Sequence, residues 1–506
     1  MFYQEKREGY ARVGKLNGKR TPLMIELGDE LLKKIDFGKA PYSAKFLVDV
    51  SEDLLPKGEI FALTGIDRLD ARQLFRAFEE VRGKVVYAVA AAKPVNVSLL
   101  IYFGADIVDN FLAIAKAKEG IFFTEDYEIP VEESEELCSC KFCEEKDLVG
   151  HNTEMVRREV KKCRFLIAKE ELRNYVEAKV KHNPELTAAL RIADFEGEKE
   201  LFPRFKRSKC YFSNLESVNR FEVQYFLKRA FECYKPVTKT LLILPCTAKK
   251  PYLVSKTHRI IRSKVKVGVN EIIISSPLVV PREFELVYPA LNYDTPVTGY
   301  WSDEEVSFVA SWLEKFVKKG NFEKIVAHVE GGYRKVVERA LKDFDVIYTA
   351  EGSIISESSL KKLSAVLEDE SYNFFDQIFP SISRYQFDLE FDGDVFGKYP
   401  EIELYKCDEK VARIDLNYGK IDVYMFAAKR LLKEKKFFVK IGNFEPKGTI
   451  FAPGIIEADE KIRPNDTVVF YSDEIIGVGT ALMSGKEMIN KKKGAAVKVK
   501  RVEPLR

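Results

Sequence analysis

Along roughly the first 135 residues, apolar positions alternate between short runs and helical spacing. Leu74, Phe75, Phe78 and Val81 recur on one helix face just after Asp70, whose side chain suits an N-cap. Val85–Ala90 reads as the strand that follows, and Leu99–Phe103 as another strand. The pattern is α/β. A complete eight-fold barrel needs about 200 residues or more, so a barrel here would be cut down.

The pattern changes over 132–163, an acidic run with clustered cysteines, and a helix carrying Leu172, Tyr175 and Val176 follows. Arg204–Lys209 is basic and irregular, and reads as a linker or a groove wall. From about 236 strong α/β signals return. Thr240–Leu244 is an apolar run ended by Pro245, Glu271–Ser275 a second strand, Lys324–Glu330 a third and Asp345–Thr349 a fourth. Ser302 and Glu305 have the form of a capping box, and Gly331-Gly332 opens a further helix. Strands alternating with helices predict a mainly parallel sheet. After 380 short strands dominate, including Val468–Tyr471, Ile475–Leu482 and Ala495–Val502.

Composition narrows the class. A hydrophobic fraction of 46% in 506 residues excludes a mostly disordered chain, and the net charge of +3 excludes a strong global field. No apolar run approaches the roughly 20 residues that cross a bilayer, and the N-terminal residues lack signal-peptide order, so a cytoplasmic protein with no membrane partner is expected. Charge is uneven, however. The last 72 residues hold 14 Lys/Arg against 9 Asp/Glu. In Ala495–Val502, Val497 and Val499 alternate with Lys498 and Lys500, which fits either a β-barrel face for a phosphate backbone or a solvated charged face.

Cys138, Cys140 and Cys143 fall within six positions, and His151 supplies a fourth donor, with Cys163 as a substitute for it. Such a Cys₃His set suits a structural, tetrahedral Zn²⁺.

The order Cys-x-Cys-x-x-Cys, His151-Asn152, then Tyr175-Val176-Glu177 resembles the zinc region of tRNA-guanine transglycosylases. Gly104-Ala-Asp-Ile-Val-Asp109-Asn-Phe, followed by Gly120-Ile-Phe-Phe-Thr124, is similar to that family's nucleophile segment, with Asp109 aligned to the nucleophile. The gap from Cys143 to His151 is shorter than usual there, and neither an Asp-Ser-Gly-Gly-Phe segment nor a Gly-Gly-Leu-Ala loop is present. Asp109 therefore reads as a relic or a structural carboxylate in the base pocket more than as a nucleophile. Phe444-Glu-Pro-Lys447-Gly448 through Gly454, Asp459, and Ile462-Arg463-Pro-Asn-Asp466 resemble a PUA domain. That resemblance implies RNA contacts from Lys447, Arg463, Lys498 and Lys500.

The most specific match is Pro245-Cys246-Thr-Ala-Lys249-Lys250-Pro251-Tyr252-Leu-Val-Ser255-Lys-Thr-His258, which resembles the motif of archaeosine synthases. Ser276-Pro-Leu-Val-Val-Pro281-Arg-Glu283, Tyr288-Pro289 and Tyr293-Asp294 are similar to the same family. The resemblance implies five segments: a truncated TIM-barrel-like transglycosylase domain with the zinc site (1–185), a basic linker or helical segment (186–235), an α/β sandwich core resembling uracil glycosylases (236–380), a small α+β pre-PUA domain (381–434), and a C-terminal PUA barrel (435–506). It further implies a transferase that adds an amine, from free lysine or glutamine, to the nitrile of 7-cyano-7-deazaguanine at position 15 of archaeal tRNA. A radical-SAM partner and a homodimer are part of that expectation.

A nitrile is a weak electrophile, so attack needs a thiolate or neutral amine, and the nitrogen must gain a proton. Cys246, just past a buried strand, either forms a thioimidate that the amine displaces or only lines the pocket. In the first case Lys249, Lys250 and His258 favour the thiolate. In the second His258 acts as base and Tyr252 or Lys250 as proton donor, with Ser255 alongside. Base exchange through Asp109, and a non-catalytic tRNA-holding subunit, are the competing expectations.

Overall fold

The computed structural model describes residues 2–28, 55–56 and 59–505. The chain divides into two compact units. The first comprises Met1–Pro203 with Pro446–Ile455 and Ala481–Lys498, and the second comprises Arg204–Glu445 with Ile456–Thr480 and Val499–Arg506.

In the first unit β1 (Phe2–Glu8), β2 (Ala11–Leu16) and β3 (Lys19–Thr21) form an antiparallel sheet. Strands β4 (Leu23–Ile25), β5 (Phe61–Leu63), β6 (Val86–Ala88) and β7 (Ala105–Asp109) form a parallel sheet in the order β4-β7-β6-β5. The helix Ala71–Glu80 starts at Asp70, whose carboxylate accepts from Arg72 N and Gln73 N, and its Leu74, Phe75 and Phe78 are buried as the spacing predicts.

Leu99–Phe103 is not a strand but part of a helix, Val97–Phe103, in which every residue is buried. An apolar run of this length carries no periodicity when both sides are covered, so helix and strand read alike. Gly104 (φ 118°) ends the helix in a backbone region disfavoured for other residues, and β7 begins at once. Further on, β8 (Ile121–Phe123) pairs with β9 (Glu128–Pro130), and a 22-residue helix, Leu148–Lys169, follows.

The second unit opens with β10 (Cys210–Tyr211) and a helix, Phe221–Cys233. Its centre is a sheet of β11 (Thr240–Pro245), β12 (Asn270–Ile274), β13 (Val279–Pro281), β15 (Lys324–Ala327) and β16 (Val346–Tyr348), in the order β13-β12-β11-β15-β16. Only β13 is antiparallel; β14 (Tyr293–Asp294) pairs with β10 instead. All of β11 and β12 is buried, as expected of strands covered on both faces. The capping box at Ser302 and Glu305 is formed and starts the helix Asp303–Gly320.

The basic stretch 204–209 is no loose linker. Lys206 is buried against Glu222 at 2.5 Å, and Arg204 against Asp466 at 3.9 Å. Charges that look solvated in the sequence have acidic partners elsewhere in this unit, which sequence spacing does not reveal. Beyond the helix Phe374–Phe387, β17 (Asp394–Lys398), β18 (Glu401–Lys406), β19 (Glu409–Asp415) and β20 (Lys420–Val423) form an antiparallel meander. The remaining strands are β21 (Phe438–Ile441), β22 (Thr449–Phe451), β23 (Ile455–Ala458), β24 (Thr467–Tyr471), β25 (Ile475–Ala481) and β26 (Ala495–Pro504). In the second unit β24 pairs with β21 and β25; in the first, β22 pairs with the start of β26. Among the described residues no helix is long and apolar enough to cross a membrane.

Candidate functional site

Strand β11 leads to β12 on one side, and β15 leads to β16 on the other. The carboxyl ends of β11 and β15 therefore flank a topological switch point, where open α/β sheets form their ligand crevice. Cys246 is the first residue past β11, held by its N–H donating to Ile274 O at 2.9 Å. Its Sγ lies 3.1 Å from Tyr333 Oη. Tyr333 stands in the first turn of the helix Gly331–Ala340, which follows β15. Trp301 packs edge-on against the Tyr333 ring at 5.1 Å and presses on Gly332 so closely that no Cβ fits there.

Lys250, on the loop leaving Cys246, has its ammonium 3.9 Å from the Tyr293 ring centroid, cut off from solvent and, among the described residues, without a hydrogen-bond partner. Burial holds its pKa below the ordinary lysine value. Tyr252 is fully buried; its hydroxyl meets that of Tyr293 at 2.6 Å, and Tyr293 donates to Ser275 Oγ at the end of β12. Burial raises both phenols well above their usual range, so both stay protonated.

His258 is expected beside the thiol as a base, and the structure gives it other work. It is 0% exposed. Nε2 lies 2.9 Å from the Pro245 carbonyl, which can only accept, so Nε2 carries the proton. Nδ1 accepts from Arg282 Nη2 at 2.8 Å. Burial, then Arg282, push its pKa down to about 3. With both nitrogens engaged the ring holds the backbone just before Cys246. Arg282 is held in turn by Glu271 (Nε to Oε2, 2.7 Å) and Glu285 (3.1 Å). Ser255 is the N-cap of the helix Lys256–Lys264, accepting from His258 N, and Lys249 is exposed, away from the buried cluster. Tyr333, Trp301 and the Arg282 network are the residues that sequence reasoning missed. The Gly-Gly-Tyr opening of a helix after a strand was the available sign for Tyr333.

A second constellation lies in the first unit. The donor atoms of Cys138, Cys140, Cys143 and His151 all fall within 4.8 Å of one another. Cys140 Sγ and Cys143 Sγ are 3.6 Å apart, and they lie 3.5 Å and 3.3 Å from His151 Nδ1. These spacings suit the ligand shell of a tetrahedral ion, so the cluster can hold a metal. His151 Nε2 donates to Phe123 O at 2.9 Å, which turns the Nδ1 lone pair to the thiols. The short helix Lys141–Glu144 and the Asp147 N-cap of the next helix close the short Cys143-to-His151 gap. Cys163 is buried farther along that helix and is no part of the group.

Asp109 ends β7 and is 1% exposed. Its Oδ2 accepts from Tyr87 Oη (2.8 Å) and Ala90 N (2.7 Å), and its Oδ1 from Phe111 N (2.9 Å). Burial raises its pKa. A carboxylate so enclosed is a structural hub. Of the expected RNA contacts, Lys447, Lys498 and Lys500 are exposed, Lys500 while pairing with Asp422 at 3.1 Å. Arg463 stacks over Phe221 at 4.9 Å.

Comparison with known proteins follows this geometry. Residues 223–367 match a domain of unknown function (DUF5591), 372–432 a pre-PUA domain and 443–502 a PUA domain. The chain is 33% identical to archaeosine synthase subunit alpha of Methanosarcina acetivorans, over 90% of this chain and 81% of that one. It is 32% identical to archaeosine synthase of Haloferax volcanii (81% and 76%) and 24% identical to tRNA-guanine(15) transglycosylase of Methanosphaera stadtmanae (90% and 73%). The crystal structure of AF0587, a protein of unknown function, is 52% identical over 55% of this chain and 99% of that one, with a TM-score of 0.51. With a third of its residues shared along most of its length, and a PUA domain at its C-terminal end, the chain belongs to the archaeosine synthase family and has a role in archaeosine biosynthesis on tRNA.

Proposed function

We propose that this chain adds an amine to the nitrile of 7-cyano-7-deazaguanine at position 15 of tRNA, giving an amidine. The observation that carries the reading is the Cys246–Tyr333 contact of 3.1 Å at the switch point, with the buried Lys250 ammonium on the same loop. As a thiolate, Cys246 attacks the nitrile carbon and one C–N π bond becomes a lone pair. Tyr333 or Lys250 supplies the proton that makes the thioimidate N–H. The amine then adds to the same carbon, loses a proton, and expels the thiolate, so nitrile and amine are the only atoms consumed. Lys250, held below the usual lysine pKa, is suited to passing that proton back and forth.

The remaining parts follow. The 236–380 domain, with a uracil-glycosylase-like core, does the chemistry. The 435–506 domain grips tRNA after the 381–434 domain, and the 1–185 domain is a shortened transglycosylase barrel braced by a structural Zn²⁺ on Cys138, Cys140, Cys143 and His151. Zn–S bonds of about 2.3 Å and a Zn–N bond of about 2.0 Å give ligand separations of about 3.5–3.8 Å, which those donors approach. Free lysine or glutamine is the donor, and the chain acts in the cytoplasm as a homodimer. Because three relatives carry the name subunit alpha, a partner such as a radical-SAM protein completes archaeosine. Base exchange by Asp109 is disfavoured because all its oxygen acceptors face fixed donors.

The test is to incubate the purified chain with nitrile-bearing tRNA and each amine, and to read the nucleosides by mass spectrometry. An amidine whose mass carries the donor is expected. Near-full turnover by Cys246→Ala would exclude the thioimidate route, and no product with either donor would exclude the reading.

A further inference from the structure

Within the second unit a cleft of about 450 Å³ opens beside Lys250 and Pro251, with Arg207, Asn292, Tyr399 and Asn417 on its walls. Its size lies in the range of small-ligand sites. Arg207 and Lys250 are cationic, and among the described residues no acidic side chain lines it. Lys250 and Pro251, on the wall of this cleft, belong to the loop that leaves Cys246. Asn292 is oriented by donating its amide to Arg207 O at 3.2 Å, whereas the Asn417 side chain is exposed.

We propose that this cleft receives the target nucleotide of the tRNA: its phosphate toward Arg207, its base edge toward the two carboxamides, and its ring face toward Tyr399. The inference rests on the nitrile-addition reading and deepens it. Chemistry decides between the two substrates of that reaction. A free amino acid carries an ammonium as well as a carboxylate, and its ammonium would find two cations and no carboxylate among the described lining residues. A nucleotide carries only anionic phosphate, and the Watson–Crick edge of a deazaguanine offers donors and an acceptor that suit carboxamides. A base extruded from folded tRNA also needs an aromatic face to replace its lost stacking.

The test measures equilibrium binding of full-length tRNA to the full chain, without turnover. Two tRNAs are compared, one bearing 7-cyano-7-deazaguanine at position 15 and one abasic there. Tyr399→Ala should weaken the first complex about tenfold and change the second little. Asn417→Ala, at an exposed position that tolerates change, should reduce the same discrimination. Under turnover, the KM for the amine should not move in either variant. Unchanged affinity for both tRNAs in both variants would overturn the proposal. A raised amine KM with unchanged tRNA binding would overturn it in favour of a donor site. Failure of the nitrile reading is separately visible, because it removes amidine product from the wild type without touching these dissociation constants.

Discussion

Arg282 Nη2 donates to His258 Nδ1 at 2.8 Å, and this bond decides what the histidine can do. It fixes the proton on Nε2, which then holds the Pro245 carbonyl, one residue before Cys246. The imidazole acts on the thiol through the backbone, as a positioning residue rather than a base. His258→Gln should lower kcat at least tenfold with a small change in tRNA KM. The acid limb of the wild-type pH–rate profile should show no step near 6.5, because His258 stays neutral down to about pH 3.

The same depressed pKa predicts the acid behaviour of the second unit. Above the ordinary value of 6.5 the ring is neutral folded or unfolded, so pH has no effect through it. As pH falls from 6.5 to about 3, the unfolded chain binds a proton that the folded one refuses, and stability is lost, up to about 5 kcal/mol. Denaturant midpoints of wild type and His258→Gln should converge across that window. Parallel curves would contradict this.

Arg282, itself fully buried, neutralises the buried Glu271 and Glu285. Arg282→Met should destabilise the unit by about 3–5 kcal/mol, since two carboxylates stay buried without their cation. Glu283, adjacent but outside those ion pairs, is the control: Glu283→Gln should cost far less, read by chemical unfolding.

Removing the metal should loosen the first unit and spare the thiol. Metal analysis should find one ion per chain, lost in Cys143→Ser and in His151→Ala. His151 Nε2 and Asn152 Oδ1 both hold Phe123, through its carbonyl and its N–H, so β8 should gain hydrogen-exchange rate first. The reactivity of Cys246 toward an alkylating reagent should be unchanged.

Asp109→Asn should leave amidine formation within about twofold of wild type, and labelled free base should enter unmodified tRNA with neither protein. Asp109→Ala should instead cost about 1–3 kcal/mol for each donor left unsatisfied among Tyr87 Oη, Ala90 N and Phe111 N. Stability measured by thermal unfolding separates the two substitutions.

Local chemistry made much of this fold legible. The Asp70 and Ser302 caps, the apolar run of β11 and the Cys₃His spacing each state their structure within fourteen residues. Leu99–Phe103 was illegible because burial on every side erases the periodicity that separates helix from strand. Arg204 and Lys206 looked solvent-facing because their partners Asp466 and Glu222 lie far off in the sequence. At the site the motif supplied Cys246 and Lys250, but Tyr333 reaches the sulfur from 87 residues away. No local pattern encodes that meeting.

The interleaving of the C-terminal segment has a consequence for biogenesis. Pro446–Ile455 and Ala481–Lys498 belong to the same compact unit as the first 203 residues. During synthesis the amino-terminal portion must therefore wait, incompletely packed, until nearly the whole polypeptide has left the ribosome, while the α/β sheet of 240–348 can consolidate earlier. Ribosome-stalled nascent chains of increasing length should become protease-resistant in that inverted order.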